Sequence, residues 1–233
     1  MDIWKSLIYP FRKENFLNTI FFPSMVSLLI LEPIILFKLN GIQKELLYGF
    51  YGLGFLPCIL GYEWQLLRKL KIEGCAATAP YWKLSNMLQY WFEGLRAIPI
   101  CFFILTVPFI ALSKCDPSIG FLSCPQNINL VLSVVLAFIV LIPISLAAIV
   151  QSATKKYMDI FNIYRTLQAV LKCYFPSLGV SAFIALLACC LPTLVIVFYA
   201  MGKFEAIAFG PPLIIMLAMI FHFTAQAFEG YKD

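Results

Sequence analysis

Charge is scarce in this chain. Its 233 residues hold 17 Lys and Arg and 12 Asp and Glu, so 12% are charged and 62% hydrophobic, where a soluble domain carries about a quarter charged residues. That shortage excludes an ordinary water-facing surface and leaves lipid as the expected solvent. Histidine is scarcer still: His222 stands alone, which excludes bis-histidine haem and a histidine-rich metal site. The 8 cysteines form no Cys-x-x-Cys pair, and there is no Gly-rich loop ending in Lys-Ser/Thr, no His-Glu-x-x-His and no Gly-x-Ser-x-Gly. Zinc, nucleotide-driven and hydrolytic chemistry therefore have no visible apparatus, and no catalytic role, metal or cofactor is expected.

The net charge of +5 comes from cations spread between apolar runs. They form no single stripe, so nucleic acid is not an expected partner. Met1–Asn18 mixes Asp2, Lys5, Arg12, Lys13 and Glu14 with apolar residues and lacks a short apolar core before a small-residue cleavage site. It does not read as a removable signal peptide.

What the chain does have is long apolar runs. Six windows emerge: Phe16–Phe37, Leu46–Leu67, Ala97–Ser113, Leu130–Val150, Ser177–Tyr199 and Phe204–Thr224. A crossing needs roughly 20 apolar residues. Lipid offers the backbone no hydrogen bonds, so spans are helices or a closed barrel, and the lack of period-2 alternation excludes the barrel. The expected fold is an all-α polytopic membrane protein of six spans in one membrane domain. With the amino terminus in the cytoplasm, all but Lys38, Lys44, Lys114 and Lys203 of the 17 Lys and Arg lie inside, as the positive-inside rule requires. Both termini are thus expected on the cytoplasmic side of the plasma or inner membrane.

Three connections carry helical periodicity. Ile3, Leu7 and Phe11, with Trp4 and Ile8, form one apolar stripe; Leu84, Leu88, Trp91 and Leu95 form a second; Ile160, Tyr164, Leu167, Leu171 and Tyr174 form a third. Amphipathic helices of this kind lie in the membrane interface. The layout suggests three units, 1–75, 76–152 and 153–233, each an interfacial helix followed by a hairpin of spans. Ala77-Thr78, Tyr81 and Asn86 recur at one offset as Ala153-Thr154, Tyr157 and Asn162. Common lipid constraints without common origin would give the same layout.

Gly61-Tyr62, Arg68, Gly74, Ala79-Pro80-Tyr81-Trp82 and Phe92-Glu93-Gly94-Leu95-Arg96 together resemble a prokaryotic domain-of-unknown-function family of six-span membrane proteins. In that family a Gly-Tyr closes the second span and a Pro-acid-Trp precedes a Gly-Leu-basic start of the third. The stretch covers about a sixth of the chain, and Lys83 and Ala79 depart from the pattern. The resemblance implies a six-helix membrane fold and transfers no functional residue.

Candidate site residues follow from the cost of polar groups in lipid. Glu32, before Pro33 in the first window, could be satisfied by Tyr48, Tyr51 or Tyr199. His222 and Gln226, with Glu63, Gln65 and Gln151 at comparable depth, could line a polar cytoplasmic mouth, or each could reach the headgroups separately. Every window contains or borders a proline, which removes a backbone donor and can kink its helix. Cys115 and Cys124 share the one substantial outside loop and are candidates for a disulfide. Two readings of function stay open: a small permease or membrane subunit of a transporter, or a non-catalytic scaffold that binds lipid and a protein partner or a second copy of itself. An intramembrane lipid enzyme would require Glu63 and His222 to share a proton.

Overall fold

The computed structural model describes residues 2–36, 41–99, 137–154, 162–186, 211–229 and 231. Every regular element among them is helical, and no strand occurs among them. Most of the Ala97–Ser113 window, the loop with Cys115 and Cys124, the start of the Leu130–Val150 window and the stretch 187–210 lie outside the described residues.

Asp2 starts the first helix, α1 (Ile3–Ile8), by accepting the Lys5 amide hydrogen at 3.2 Å, which satisfies one of the free donors of its first turn. Pro10 then tightens the chain into a 3₁₀ turn, and Arg12, in an extended conformation, separates that turn from α2 (Lys13–Phe16). From α2 the chain continues helically through Leu17–Phe21 into α3 (Phe22–Leu36). Likewise α4 (Ile42–Phe50) continues through Tyr51–Phe55 into α5 (Leu56–Glu73), which ends at Gly74 with φ +95°. Next come α6 (87–99) and, after Ala137–Leu141, α7 (Ile142–Thr154). Asn162 caps α8 (Ile163–Lys172), which is followed by α9 (Tyr174–Leu186) and α10 (Pro211–Ala227).

The prolines widen these helices where breaks could have formed. Leu17–Phe21, Tyr51–Phe55 and Ala137–Leu141 are each one π-turn, and each ends two residues before a proline, Pro23, Pro57 or Pro143. In the first two, the amide just before the proline reaches back five residues, Phe22 to Leu17 and Leu56 to Tyr51. A proline ring clashes with the carbonyl four residues back, and one extra residue in the preceding turn moves that carbonyl aside while the helix continues.

The C-terminal helix α10 is the hub. It packs against α5, α7, α3 and α1, and against Tyr9–Phe11 and Leu17–Phe21. Trp64, Leu67, Leu146, Ile149, Phe223 and Phe228 lie in the core cluster that this packing buries. A second cluster around Tyr51, Phe55, Ile59, Tyr62 and Tyr90 fills the space between α5 and α6.

Two helices leave most of their large apolar side chains exposed. Helix α8 turns Thr166, Ala169 and Val170 inward and leaves Ile163, Tyr164, Leu167 and Leu171 exposed, Leu171 at 77%. Helix α1 buries Ser6 and exposes Ile3, Trp4 and Ile8, with Trp4 at 73%. No single described helix is long and apolar enough to cross a membrane. Helices α8 and α9 pass that test only as a pair, with an 85° bend between them.

The residues of the family-like stretch converge on one joint. A Cβ on Gly61 would meet the Tyr90 backbone carbonyl, and a Cβ on Gly94 would meet that of Pro57. Two glycines thus let α5 and α6 cross backbone to backbone. This differs from an amphipathic α6 lying free in an interface, because the Gly94 side of α6 is committed to α5. Around the crossing, Tyr62 stacks on Trp82 at 4.7 Å between ring centres and its hydroxyl donates to the Pro80 carbonyl at 2.8 Å. Arg68 pairs with Glu93 at 3.5 Å. The segment between α5 and α6 has no ladder partner, so side chains satisfy it. Asn15 Oδ1 accepts the Ala79 amide hydrogen, Asn18 Oδ1 that of Trp82, and the Tyr9 hydroxyl donates to the Ala77 carbonyl.

Gly61→Ala and Gly94→Ala should each destabilise the protein by about 3 kcal/mol, the upper end of overpacking costs, because backbone stands in the way. Gly49→Ala, where nothing lies within 4 Å, should leave the melting temperature in detergent unchanged or raised. Equal melting of all three variants would remove the crossing from the account.

Candidate functional site

The single histidine sits in the best-connected polar group of the described chain. Asp2 and Ser6 lie four residues apart on α1, and His222 and Gln226 lie four apart on α10. Each pair shares one helix face, and the two faces meet running antiparallel. The Asp2 amide donates to Gln226 Oε1 at 2.8 Å, and Gln226 Nε2 donates to the Ser6 hydroxyl at 3.0 Å and the Asp2 carbonyl at 3.3 Å. Ser6 Oγ lies 2.9 Å from His222 Nδ1, and His222 Nε2 lies 3.1 Å from the Cys75 carbonyl. A carbonyl can only accept, so Nε2 carries the proton and Nδ1 accepts from Ser6, a tautomer assigned from the network. Tyr9 stacks on the imidazole at 4.1 Å.

This arrangement ties α1, the Gly74–Ala77 turn and α10 into one unit. Both ring nitrogens of His222 are engaged, so the side chain is organised as a structural pivot. Burial first, and then the Glu63 carboxylate, raise the pKa of the Tyr9 hydroxyl above its ordinary value. At Cys75, burial and then Glu229 push the thiol up to about 11. Beside the network opens a cavity of about 450 Å³, lined in part by Asp2, Lys5, Arg12, His222, Gln226 and Glu229.

Glu63 is the outlier. It projects from α5 into the core at 0% exposure, and neither carboxylate oxygen has a hydrogen-bond partner among the described residues. Such a group is costly in any low-dielectric site. No hydrogen bond joins it to His222.

The remaining candidates fall elsewhere. Gln151 Oε1 accepts from the buried Thr166 hydroxyl at 3.1 Å, linking α7 to α8. Tyr51 shares a hydrogen bond of 2.9 Å with Ser27, and Tyr48 packs on the second cluster. Counting 15 residues of nearly continuous helix, Tyr48 stands about 22 Å along the axis from Glu63. The candidates therefore form separate groups, of which only His222 and Gln226 border the cavity. Glu32 lies on α3, and its side chain is outside the described residues, as are Cys115, Cys124 and Tyr199. Among the described residues no cluster of metal-ligating side chains occurs.

Sequence reasoning missed the partners Asp2, Ser6 and Tyr9. Part of the signal was available: Asp2 and Ser6 stand four residues apart, the spacing of His222 and Gln226, and Tyr9 follows three residues on. It also missed Lys71, which donates to the carbonyls of Phe228 and Tyr231 and holds the chain after α10.

Comparison with protein-family models, with curated proteins and with solved structures finds no match to this chain.

Removing the Ser6 hydroxyl leaves His222 Nδ1 with Gln226 alone. Ser6→Ala should cost about 1–2 kcal/mol and speed amide exchange across residues 3–11; unchanged exchange there would dissociate α1 from the network. For Cys75, a pKa raised from 9.0 to about 11 cuts the thiolate at pH 8 roughly a hundredfold. Its alkylation, followed peptide by peptide, should climb about tenfold per pH unit beyond pH 9 without levelling there, and Glu229→Gln should speed it.

Proposed function

We propose that this chain is a multi-pass membrane protein of about six spans with both termini in the cytoplasm, acting as a small permease or as the membrane subunit of a transporter. The membrane part of the reading is supported by the exposed apolar side chains of α1 and α8. Ile163, Tyr164, Leu167 and Leu171 on the outside of α8 are favourable where the surroundings are apolar. In this reading α8 lies along the interface and the 85° bend turns α9 into the bilayer. The three-unit layout belongs to the same proposal. So does kinship with the six-span family, which the meeting of Gly61, Tyr62, Trp82 and Gly94 in one joint supports.

The permease part is carried by Glu63. An ionisable side chain inside a helical bundle is expensive and marks ion or substrate pathways. As an anion Glu63 needs a cation, and as an acid it needs somewhere to deliver its proton. The described residues supply neither, and an occupant in transit would. The site is not catalytic in this account, since the imidazole nearest to it is fully engaged.

Reconstituted protein, screened over a panel of small solutes under an imposed proton gradient, should accumulate at least one of them. Glu63→Gln should reduce that uptake at least tenfold with little change in melting temperature. If the wild type moves no solute, the permease reading falls and a non-catalytic assembly role remains. If the chain stays folded and monomeric in water without detergent, the membrane reading itself falls.

A further inference from the structure

The cavity beside α1 has a composition that selects a ligand. Its volume of about 450 Å³ falls within the range of small-ligand sites, and at about 30 Å³ per water it has room for a polar headgroup. Its charges are mixed. Lys5 is paired with Asp2 at 3.5 Å, and Asp2 also caps α1, so this pair is largely self-satisfied. Arg12 has no carboxylate within ion-pair distance among the described residues, and its guanidinium lies over the Tyr9 ring at 5.8 Å. Glu229 also lines the cavity, is exposed, and its carboxylate meets the Cys75 thiol there. The lining therefore offers both a planar guanidinium, suited to phosphate, and a carboxylate, suited to an ammonium. On the helix that carries Lys5 and the turn that leads to Arg12 stand the exposed Trp4, Ile8 and Phe11, a surface for hydrocarbon.

From this juxtaposition we infer that the cavity binds the headgroup of an ethanolamine-type glycerophospholipid, with its phosphodiester on Arg12, its primary ammonium on Glu229 and its acyl chains along Trp4, Ile8 and Phe11. A primary ammonium donates hydrogen bonds to Glu229 and to the carbonyls around it. A choline headgroup cannot donate, and its recognition calls for an aromatic cage, whereas the Tyr9 ring is occupied by His222. An acidic headgroup without an amine would leave Glu229 facing anionic lipid. The inference rests on the membrane reading, and the two can fail separately: the need for detergent tests the one, and headgroup preference tests the other.

The test is lipid binding to the detergent-purified chain, read by native mass spectrometry and by thermal shift, with short-chain phosphatidylethanolamine, phosphatidylcholine and phosphatidylglycerol. Water-soluble glycerophosphoethanolamine and inorganic phosphate form two further arms. Phosphatidylethanolamine should bind at least fivefold tighter than the other two lipids, and glycerophosphoethanolamine should compete with it. Arg12→Gln and Glu229→Gln should each weaken it tenfold or more, and Arg165→Gln, exposed on α8 and outside the cavity lining, should not. Glu229 is exposed on the surface, so its variant keeps the test valid should Arg12→Gln fold poorly. Equal binding of all three lipids would reduce the site to ordinary lipid contact and overturn the inference. So would wild-type affinity in both cavity variants, or an equal shift from phosphate alone, which would reassign the site to a free anion.

Discussion

The contact between α5 and α10 is the interaction on which the other elements depend. Helices α7 and α3 and the turn at Tyr9 all seat on α10, while α6 crosses α5 at Gly61 and Gly94. Burial here is apolar and extensive, with Leu66, Leu67, Ile214, Phe223 and Phe228 fully enclosed. Apolar burial inside a bundle does little to choose partners when the surroundings are also apolar, so close backbone approach and polar pairing set the arrangement. The two glycines provide the first. The Asp2, Ser6, His222 and Gln226 network provides the second.

That division explains why polar residues cluster where they do. Hydrogen bonds from Tyr9, Asn15, Asn18 and Tyr62 hold the extended segment after Gly74, and Arg68 and Lys71 hold neighbouring carbonyls of α7 and of the chain after α10. Each satisfies backbone groups that would otherwise be buried without partners. Trp82 Nε1 and Glu93 Oε2 are also buried without a partner among the described residues, but at Glu63 both carboxylate oxygens are bare. That isolation is what the proposed role in passage of an ion or solute rests on.

Much of the architecture was legible before the fold was known, and the reasons are local. The stripes through Ile3, Leu7 and Phe11 and through Tyr164, Leu167 and Leu171 mark helices because a 3.6-residue period has one physical meaning. Most of their residues end up exposed, while Leu7 packs partly buried against the core. The pairing of His222 with Gln226 was legible from spacing alone. Their partners on α1 were not, because 216 residues separate Ser6 from His222 and no local rule brings the chain ends together. Pro23, Pro57 and Pro143 signalled irregular helix but not its form, since a kink and a π-turn relieve the same clash.

The amino-acid sequence by itself determined an all-helical chain, because composition and periodicity act within one or two turns and need no knowledge of neighbours. Only the tertiary structure decided that Gly61 and Gly94 meet, that His222 is spoken for on both nitrogens, and that Glu63 is left alone. Those outcomes depend on which helices touch and at what register, and that is settled by the fit of whole surfaces and the satisfaction of buried polar atoms across the length of the chain.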